Sequence, residues 1–398
     1  MFAAVQLAPR DPILGMTEAF NADTRTNKVN LGVGVYYDDN GKLPLLAAVR
    51  EAEKTRLEAA PARGYLPIEG FGAYNQAVQQ LLFGKDSPLL AAGRVATFEA
   101  LGGTGGLKIG ADFLKRLAPN AEVWISDPSW ENHRALFEGA GFKVNAYPYY
   151  DSATHGVNFQ GMLAALNAMP AGSIVVLHAC CHNPTGVDLS VEQWKQVVEA
   201  VRSRGLVAFL DMAYQGFGDG IEEDAAALRL FADSGLPFFV SSSFSKSFSL
   251  YGERVGALSI VTLDRDETAR VTSQVKRVIR TNYSNPPTHG AAIVAAVLST
   301  PELRKLWEQE LAGMRERIRQ MRVQLVEKLK ARGVKQDFSF VTTQRGMFSY
   351  SGLTSAQVDR LREEFGIYAI ATGRICLAAL NSRNIDAVAD AIAKVVAE

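Results

Sequence analysis

The chain has 398 residues, of which 47% are hydrophobic, so it is long enough for roughly two or three domains around a large core. Lysine and arginine together number 42, as do aspartate and glutamate, and a formal net charge of zero gives no overall attraction to nucleic acid or to an anionic membrane. Three cysteines, two of them adjacent, cannot build a disulfide framework. With no recognisable secretory leader and no apolar run of membrane-spanning length, we expect a cytoplasmic protein.

Between residues 95 and 263, short apolar runs alternate with amphipathic segments. The runs show little polar alternation, which is typical of strands buried on both faces. A strand followed by a helix, repeated in this way, predicts an α/β fold with a mostly parallel sheet covered by helices. The predicted strands lie in the stretches VATFEAL, EVWISDPS, SIVVLHACC, LVAFLDMAY, LPFFVSSS and GALSIVTL.

A single long helix is predicted to begin at Pro301 and to stop at Gly333. Apolar residues recur between them every three or four positions, which defines one helix face. A coiled coil is the alternative, but the stripe is short and contains Gly313, which favours a helix that spans two domains. The C-terminal third then forms a smaller α+β unit, and we expect the N-terminal residues to pack with it.

Lys246 lies in a serine-rich turn, SSSFSKSFSLYGERVG, directly after a predicted buried strand. A lysine there is usually a surface ion-pair partner, and the alternative is an amine nucleophile. An ordinary lysine, with a pKa near ~10.4, is protonated and a poor nucleophile, and an imine with a carbonyl cofactor removes this handicap. Pyridoxal phosphate (PLP) is the commonest such cofactor. It requires an anion site for its phosphate, a carboxylate for its ring nitrogen and donors for its phenolic oxygen.

The sequence offers an anion site in the turn GGTGG, which contains Thr104 and joins a predicted strand to a helix. Backbone N–H groups at a helix N-terminus attract phosphate, although glycine-rich turns are common and this one matches no nucleotide-binding pattern. Ser243, Ser245 and Arg254 follow another strand and complete the predicted cradle, with Arg254 forming a bidentate pair.

The carboxylate and the phenolic-oxygen donors also follow predicted strands. Asp211 stands at the end of one strand with Tyr214 three residues later, and Asn183 lies in the turn HNPTG after another. An acid in that position is more often a turn or cap residue. Because the carboxyl ends of parallel strands share one edge of the sheet, we expect all these side chains to converge there.

The stretch HACCH, from His178 to His182, raises the alternative of a zinc site. Its spacing lacks the usual C-x₂-C pair, and adjacent cysteines on a strand point to opposite faces of the sheet. We therefore predict buried free cysteines and no metal.

Five stretches resemble class I aminotransferases of the aspartate/aromatic type: SSSFSKSFSLYGERVG, FLDMAYQGF, HACCHNPTG, SDPSWENH and RTNYSNPPTHG. The resemblance covers essentially the whole chain and is closest to the bacterial aromatic-amino-acid (tyrosine) branch. It implies PLP fold type I: a large domain with a mixed, mostly parallel seven-stranded sheet covered by helices, and a smaller α+β domain, joined by a long helix. The implied bounds are an N-terminal arm of residues 1–12, a small domain of 13–44 and 315–398, and a large domain of 45–314.

The resemblance also implies roles for individual residues. Lys246 would hold the cofactor covalently and move a proton, Asp211 would pair with the pyridinium nitrogen, and His133 would lie behind Asp211. The other implied cofactor ligands are Tyr214 and Asn183 at the phenolic oxygen, Trp130 on the ring, and Gly103, Thr104, Ser243, Ser245, Arg254 and, from the neighbouring subunit, Tyr65 at the phosphate. The implied substrate ligands are Arg374 at the α-carboxylate, Arg280 at a distal carboxylate across the dimer, and Gly34, Trp130, Asn183 and Phe348 in the pocket.

The expected protein is a homodimeric PLP-dependent aminotransferase that moves the amino group of tyrosine or phenylalanine, and of aspartate, to 2-oxoglutarate in a ping-pong mechanism. Three alternatives stay open: an aspartate aminotransferase with little aromatic activity, a PLP-dependent β-lyase, and a non-catalytic ligand-binding relative. Taken singly, Arg280 also fits a helix-surface charge, Arg374 a strand cap and Trp130 a core residue. The convergence of the whole set, together with the resemblance, favours the enzyme.

Overall fold

The structure is a computed structural model that describes residues 1–9 and 11–397. The described chain forms two compact units. The larger unit consists of Pro44–Asn183 and Val187–Glu316, and the smaller of Met1–Leu43, Pro184–Gly186 and Arg317–Glu398, apart from the residues outside the described set.

The larger unit is built on a seven-stranded sheet with the spatial order β2-β10-β9-β8-β7-β3-β4. Its neighbouring strands run parallel except at β10, which is antiparallel to both β2 and β9. The predicted α/β class and the mixed, mostly parallel seven-stranded sheet are therefore confirmed. The strands are β2 (Val95–Leu101), β3 (Val123–Asp127), β4 (Val144–Pro148), β7 (Ile174–His178), β8 (Val207–Met212), β9 (Phe238–Ser243) and β10 (Val255–Val261), with a separate hairpin of β5 (Tyr150–Asp151) and β6 (Gly156–Val157).

The central strands are buried along nearly their whole length, as the continuous apolar runs predict. One correction concerns β9, which continues through Ser241, Ser242 and Ser243 although a turn was predicted to start at the first serine. These serines remain in the strand because each pairs with a residue of β10.

Helices cover the sheet of the larger unit. Helix α5 packs closely because Gly110 has no side chain: a Cβ there would lie 2.5 Å from Phe209 Cζ. Helix α8 begins with a capping box in which Ser190 and Gln193 bond each other's backbone N–H groups. The helices of this unit are α2 (Ala47–Ala59), α3 (Gly72–Phe83), α4 (Pro88–Ala91), α5 (Gly102–Leu117), α6 (Glu131–Gly139), α7 (Phe159–Ala168), α8 (Val191–Arg204), α9 (Ala226–Asp233), α10 (Arg265–Asn282) and α11 (His289–Ser299).

The predicted long helix is α12, Pro301–Ala331, a single helix of 31 residues. Its residues to Glu316 belong to the larger unit and those from Arg317 to the smaller. The predicted apolar stripe is buried apart from the half-buried Leu303. No described helix combines the length and the apolarity that a membrane crossing requires.

The smaller unit combines short strands with helices. Strand β1 pairs in parallel with β12, and β11 pairs antiparallel with β13. Its elements are α1 (Pro12–Ala22), β1 (Val29–Asn30), β11 (Phe348–Tyr350), α13 (Ser355–Phe365), β12 (Ile367–Tyr368), β13 (Arg374–Cys376) and α14 (Ile385–Val396).

Candidate active site

The carboxyl ends of β7, β8 and β9 bring the predicted cofactor residues of the larger unit to one edge of the sheet. His178 pairs with Asp211 in register, and Asp211 pairs with Ser241. The Lys246 ammonium nitrogen lies 5.0 Å from the centre of the Tyr214 ring. The expected convergence of Asp211, Tyr214 and Lys246 is therefore present in the fold.

Asp211 is a buried carboxylate with a buried histidine as its partner. His133 Nε2 lies 2.7 Å from Asp211 Oδ2, and the His133 side chain is fully buried. Burial by itself raises the pKa of Asp211, but the hydrogen bond and charge of His133, with smaller contributions from His178 and Lys246, lower it overall. Asp211 is thus held in its ionised form.

Behind His133, the chain of hydrogen bonds continues through two residues that the sequence analysis missed. Ser129 Oγ lies 2.8 Å from His133 Nδ1 and 3.1 Å from His178 Nε2. The backbone N–H of Asn183 donates to His178 Nδ1 at 3.4 Å, and burial lowers the pKa of His178 well below its usual value, so this imidazole is neutral. The signal for these residues was available, because Ser129 stands four positions before His133 and His178 ends a strand.

These contacts fix the donors at both ends of the chain. Since His178 Nδ1 accepts from Asn183, its Nε2–H donates to Ser129 Oγ. Because Asp211 is ionised, its Oδ2 accepts from His133 Nε2–H. The carboxylate therefore receives one firmly oriented donor and keeps its other oxygen for a further group.

Lys246 is half-buried in the turn that follows β9. Burial first, and Arg254 to a smaller extent, lower its pKa to about 8, against the opposing effect of Asp211. The turn is held by the Ser245 N–H, which donates to Ser243 Oγ at 3.2 Å, and by Trp307 Nε1, which donates to Ser247 O at 2.7 Å. A larger fraction of free amine than in an ordinary lysine is therefore present near neutral pH.

At the predicted phosphate cradle, the glycine turn at the start of α5 packs closely against the chain around Ser243 and Arg254. Gly102 has φ +69°, and a Cβ there would lie 2.7 Å from Arg254 Nη2. A Cβ on Gly256 would collide with the Gly102 carbonyl carbon, and one on Gly103 would lie 3.1 Å from Ser243 Cβ. Glycine is therefore required for this approach.

Two features of the cradle favour an anion. Among the described residues, no side chain caps the N-terminus of α5, a 16-residue helix whose first turn includes Gly103 and Thr104. Arg254 is exposed, has φ +55° and donates from Nη1 to Tyr251 O at 2.8 Å. A non-glycine residue in this conformation indicates that its position is maintained at some conformational cost.

Asn183 and Tyr214 lie in two contacting turns. Asp188 clamps the first turn, since its carboxylate accepts from the Cys181 and His182 N–H groups, both at 2.8 Å. Cys181 Sγ contacts the Tyr214 carbonyl oxygen at 3.9 Å. The sequence analysis did not identify Asp188, for which a turn acid near HNPTG was the available signal. Trp130 precedes α6 and meets the His133 ring edge-on, with 5.3 Å between ring centres.

The adjacent cysteines do not face opposite sides of the sheet, so that expectation is wrong. Strand β7 ends at His178, and Cys181 has φ +51°, which turns its side chain towards that of Cys180. Among the described residues, their sulfurs lie within 4.8 Å of each other and of an Asp224 oxygen. The Asp224 carboxylate accepts backbone N–H groups of Gly216, Gly218 and Asp219, and the hydrogen bond with Cys181, followed by burial, raises the pKa of Cys180.

Tyr65 and Arg280 line one cleft of about 870 Å³ in the larger unit. Tyr65 is 95% exposed, and the exposed Arg280 donates from Nη1 to Ser284 Oγ. The cleft also includes Leu101, the residue before the Gly102 turn. These two predicted ligands are thus brought together on an accessible surface.

The remaining predicted substrate ligands meet inside the smaller unit. Arg374 is 1% exposed, its Nη2 donates to Gly32 O at 2.6 Å, and its guanidinium lies 4.3 Å from the centre of the Phe348 ring. A Cβ on Gly34 would lie 2.7 Å from Phe348 Cζ. The buried Arg322, which the sequence analysis missed, holds this strand by donating to the carbonyl oxygens of Val341, Gly346 and Phe348.

Comparison with known proteins identifies the family. A sequence profile described as aminotransferase class I and II matches residues 26–392. The chain is similar to an aspartate aminotransferase of Pseudomonas aeruginosa, 70% identical, and to an aromatic-amino-acid aminotransferase of Escherichia coli, 54% identical, with 100% of each chain covered in both cases. A crystal structure of an aromatic-amino-acid aminotransferase from Burkholderia pseudomallei, covalently bound to pyridoxal phosphate, is 73% identical, with a TM-score of 0.98 over 100% of this chain and 99% of that one. The chain therefore belongs to the class I and II aminotransferase family.

Proposed function

We propose that this chain is a PLP-dependent aminotransferase that moves the amino group of tyrosine or phenylalanine, and of aspartate, to 2-oxoglutarate in two half-reactions of a ping-pong sequence. The observation that carries the proposal is the amine of Lys246 beside the ionised, histidine-supported Asp211 at one edge of the sheet. When bound, the cofactor supplies an aldehyde that joins amines and a ring that withdraws electrons from the substrate's α-carbon.

The residues at this edge suit the polar groups of that cofactor. The glycine-lined N-terminus of α5, with Thr104, Ser243, Ser245 and Arg254, suits a phosphate dianion because it combines a helix N-terminus that no described side chain caps with hydroxyls and a guanidinium. Asp211 would hold a proton on the ring nitrogen, and Asn183 and Tyr214 would donate to the phenolic oxygen. Trp130 would pack on the ring.

Lys246 would perform the proton transfer. A pKa of about 8 leaves about a tenth of the amine unprotonated at pH 7, whereas an ordinary lysine would have far less. Its Nζ would take the proton from the substrate's α-carbon. Asp211, close enough to influence the pKa of Lys246, would keep the ring protonated during this step.

Substrate recognition would rest on two arginines. Arg374, held by Gly32 and backed by Phe348, would receive the α-carboxylate as a bidentate pair. Arg280 would bind the distal carboxylate of aspartate or 2-oxoglutarate. Because Arg280 is exposed and its described side-chain bond is to Ser284, it can turn aside and leave room for an aromatic ring.

The proposed assembly is a homodimer, because the exposed Tyr65 and Arg280 would each serve the active site of the neighbouring subunit. We also propose the domain bounds expected from the resemblance, with residues 1–12 as an arm, 13–44 and 315–398 as the small domain and 45–314 as the large domain. The protein would act in the cytoplasm.

A first experiment tests the chemistry. The purified protein should be yellow, and borohydride should fix the cofactor to Lys246, as mass spectrometry of the labelled peptide would show. Colourless protein that gains neither colour nor transamination activity from added PLP would overturn the proposal.

A second experiment tests the substrate range. The alternative is an aspartate aminotransferase with little aromatic activity, which the name of the 70%-identical relative favours. Half-reaction rates measured by stopped-flow absorbance should be comparable for L-tyrosine and L-aspartate. Tyrosine rates lower by several orders of magnitude would favour the alternative, and release of pyruvate and ammonia would indicate a β-lyase.

A further inference from the structure

Glu99 is a buried acid that none of the roles described so far uses. It lies within β2, the edge strand of the seven-stranded sheet, and is 2% exposed. Its backbone N–H donates to Glu69 O at 3.0 Å, so residues 69–71 run beside the edge strand. A carboxyl group in such a position is unusual and calls for a physical explanation.

The contacts of Glu99 fasten a segment of residues 63–71, here called the Tyr65 segment. Glu99 Oε2 accepts from the Phe71 N–H at 3.0 Å. Gly70, with φ +98°, lies so close that a Cβ there would be 2.7 Å from the same oxygen. Glu99 thus binds the segment through its backbone N–H and through its side chain.

The segment in turn forms the wall of the cleft that contains Arg280. Arg63, Gly64, Tyr65 and Leu66 line the cleft. Asn285, which follows α10, donates from Nδ2 to Leu66 O at 2.9 Å and lines the same cleft. A shift of the segment would therefore change the presentation of Tyr65 and alter the surface beside Arg280.

Two titratable groups face Glu99 from the surrounding elements, and one ion pair involves the segment beside it. Tyr74 of α3 and Tyr283, directly after α10, both have a raised pKa, to which burial and then the Glu99 carboxylate contribute. The Tyr283 hydroxyl donates to Glu99 O at 3.4 Å. Glu69 of the segment itself pairs with Lys276 of α10 at 2.9 Å, so this cation already has an acidic partner. From β10, the residue opposite Glu99 is Ala257, which carries no charge.

Burial raises the pKa of Glu99 from 4.5 to about 7, because the Phe71 hydrogen bond only partly offsets the loss of hydration. We call the segment closed when it is bonded to Glu99 as in the structure, and open when it is detached and Glu99 is exposed to water. Glu99 therefore binds a proton more tightly in the closed state than in the open state. By linkage, the closed segment loses stability relative to the open one as the pH rises from 4.5 to about 7. Above that range the loss is complete, and stability no longer changes with pH through this group.

We propose that Glu99 is a positioning residue whose protonated form keeps the Tyr65 segment closed and whose ionised form favours its opening. The fastening of the segment rests on the contacts of this chain alone. The consequence for the neighbouring active site, which is a pH-dependent supply of Tyr65 to the phosphate, rests on the proposed function.

Hydrogen–deuterium exchange of the holoenzyme tests the fastening. Exchange of peptides that cover residues 63–71 is measured at pH 6 and pH 8.5 in the wild type and in Glu99→Gln, whose neutral amide keeps an oxygen for the Phe71 N–H. After correction for the intrinsic pH dependence of exchange, the opening equilibrium constant of the segment in the wild type should be about tenfold larger at pH 8.5 than at pH 6. In Glu99→Gln it should show no such increase. Equal pH effects in the two proteins, or faster exchange in Glu99→Gln than in the wild type at pH 8.5, would overturn the proposal.

A second variant and a second readout complete the test. Glu99→Leu removes the acceptor, so exchange at Phe71 should increase at both pH values. The cofactor dissociation constant, measured by fluorescence, should rise with pH more steeply in the wild type than in Glu99→Gln, and parallel curves would remove the link to Tyr65. Borohydride labelling of Lys246 at saturating cofactor distinguishes this failure from failure of the proposed function, because labelling of the fully loaded protein does not depend on Glu99.

Discussion

His133 Nε2 donates to Asp211 Oδ2 at 2.7 Å, and both side chains are buried. A buried carboxylate is costly unless it is bonded, and the histidine both satisfies it and orients it. The hydrogen-bond chain behind His133 continues through Ser129 and His178 to the Asn183 backbone, and His133 lowers the pKa of Asp211 so that this carboxyl group is ionised. The charge of Asp211 raises the pKa of Lys246 and so partly opposes the effect of burial on this amine.

In the cofactor-free protein, Lys246 should become reactive with a pH midpoint of about 8, because burial disfavours its charged form. Acylation at several pH values, followed by mass spectrometry of the Lys246 peptide, measures this midpoint. Asp211→Asn should shift it downwards, since Asp211 stabilises the ammonium, and Arg254→Gln should shift it upwards. A wild-type midpoint above pH 10 would contradict the burial of this amine.

Replacing the amine should abolish most of the transfer reaction. Lys246→Ala should reduce kcat by at least ~10²–10⁴-fold, the loss typical of a missing general base, and by more if the covalent link to the cofactor is also needed. Steady-state transamination rates measure the effect. Lys195→Ala, on the exposed face of α8, is the matched control and should keep wild-type rates. Turnover near that of the wild type in Lys246→Ala would show that the amine is misassigned.

The cradle at the start of α5 should not tolerate a single methyl group. Gly102→Ala places a Cβ 2.7 Å from Arg254 Nη2 at a residue with φ +69°, which should weaken cofactor binding by about 10–100-fold. Equilibrium dialysis of reconstituted protein measures the dissociation constant. Gly139→Ala, at the end of α6, provides the control, because no atom of the described residues outside the local helix backbone and the two chain neighbours lies within 4 Å of the added Cβ. Equal affinities in the two variants would place the phosphate elsewhere.

Arg280 should matter for one substrate class only. Arg280→Leu should reduce kcat/KM for aspartate by about 10²-fold or more, because the distal carboxylate would lose its cation, and should change the value for phenylalanine by less than about tenfold. Arg277→Leu, exposed on the same helix, should affect neither. Parallel losses for aspartate and phenylalanine would show that Arg280 does not face the substrate's side chain.

Much of the fold was predictable from local patterns. The buried strands of the larger unit follow from apolar runs, and α12 follows from Pro301 and a three- and four-residue apolar spacing. The position of Asp211 and Lys246 on one edge follows from the parallel direction of β7, β8 and β9. These features depend on the periodicity of apolar residues and on strand direction, and the sequence indicates the second through its alternation of strands and helices.

Other parts of the site depend on contacts between distant segments, which periodicity does not contain. Ser129 and His178 are joined only when β3 and β7 become neighbours in the sheet. The orientation of Cys181 depends on a positive φ that its side chain does not predict. The burial of Glu99 arises because residues 69–71 cover an edge strand whose own pattern gives no sign of it.

The direction of β10 decides where its leading arginine stands. Arg254 comes directly before β10, and in a wholly parallel sheet the residue before a strand lies at the amino edge, about 23 Å away across a seven-residue strand. Because β10 runs against β2 and β9, its first two residues, Val255 and Gly256, instead pair with the last residues of β2 and β9, Leu101 and Ser243. The reversed direction of β10 thus places the Arg254 guanidinium at the same edge of the sheet as the carboxyl ends of β2 and β9. If β10 ran parallel to its neighbours, the same arginine would lie at the opposite edge, and the predicted phosphate site would lose its cation without any change in the sequence.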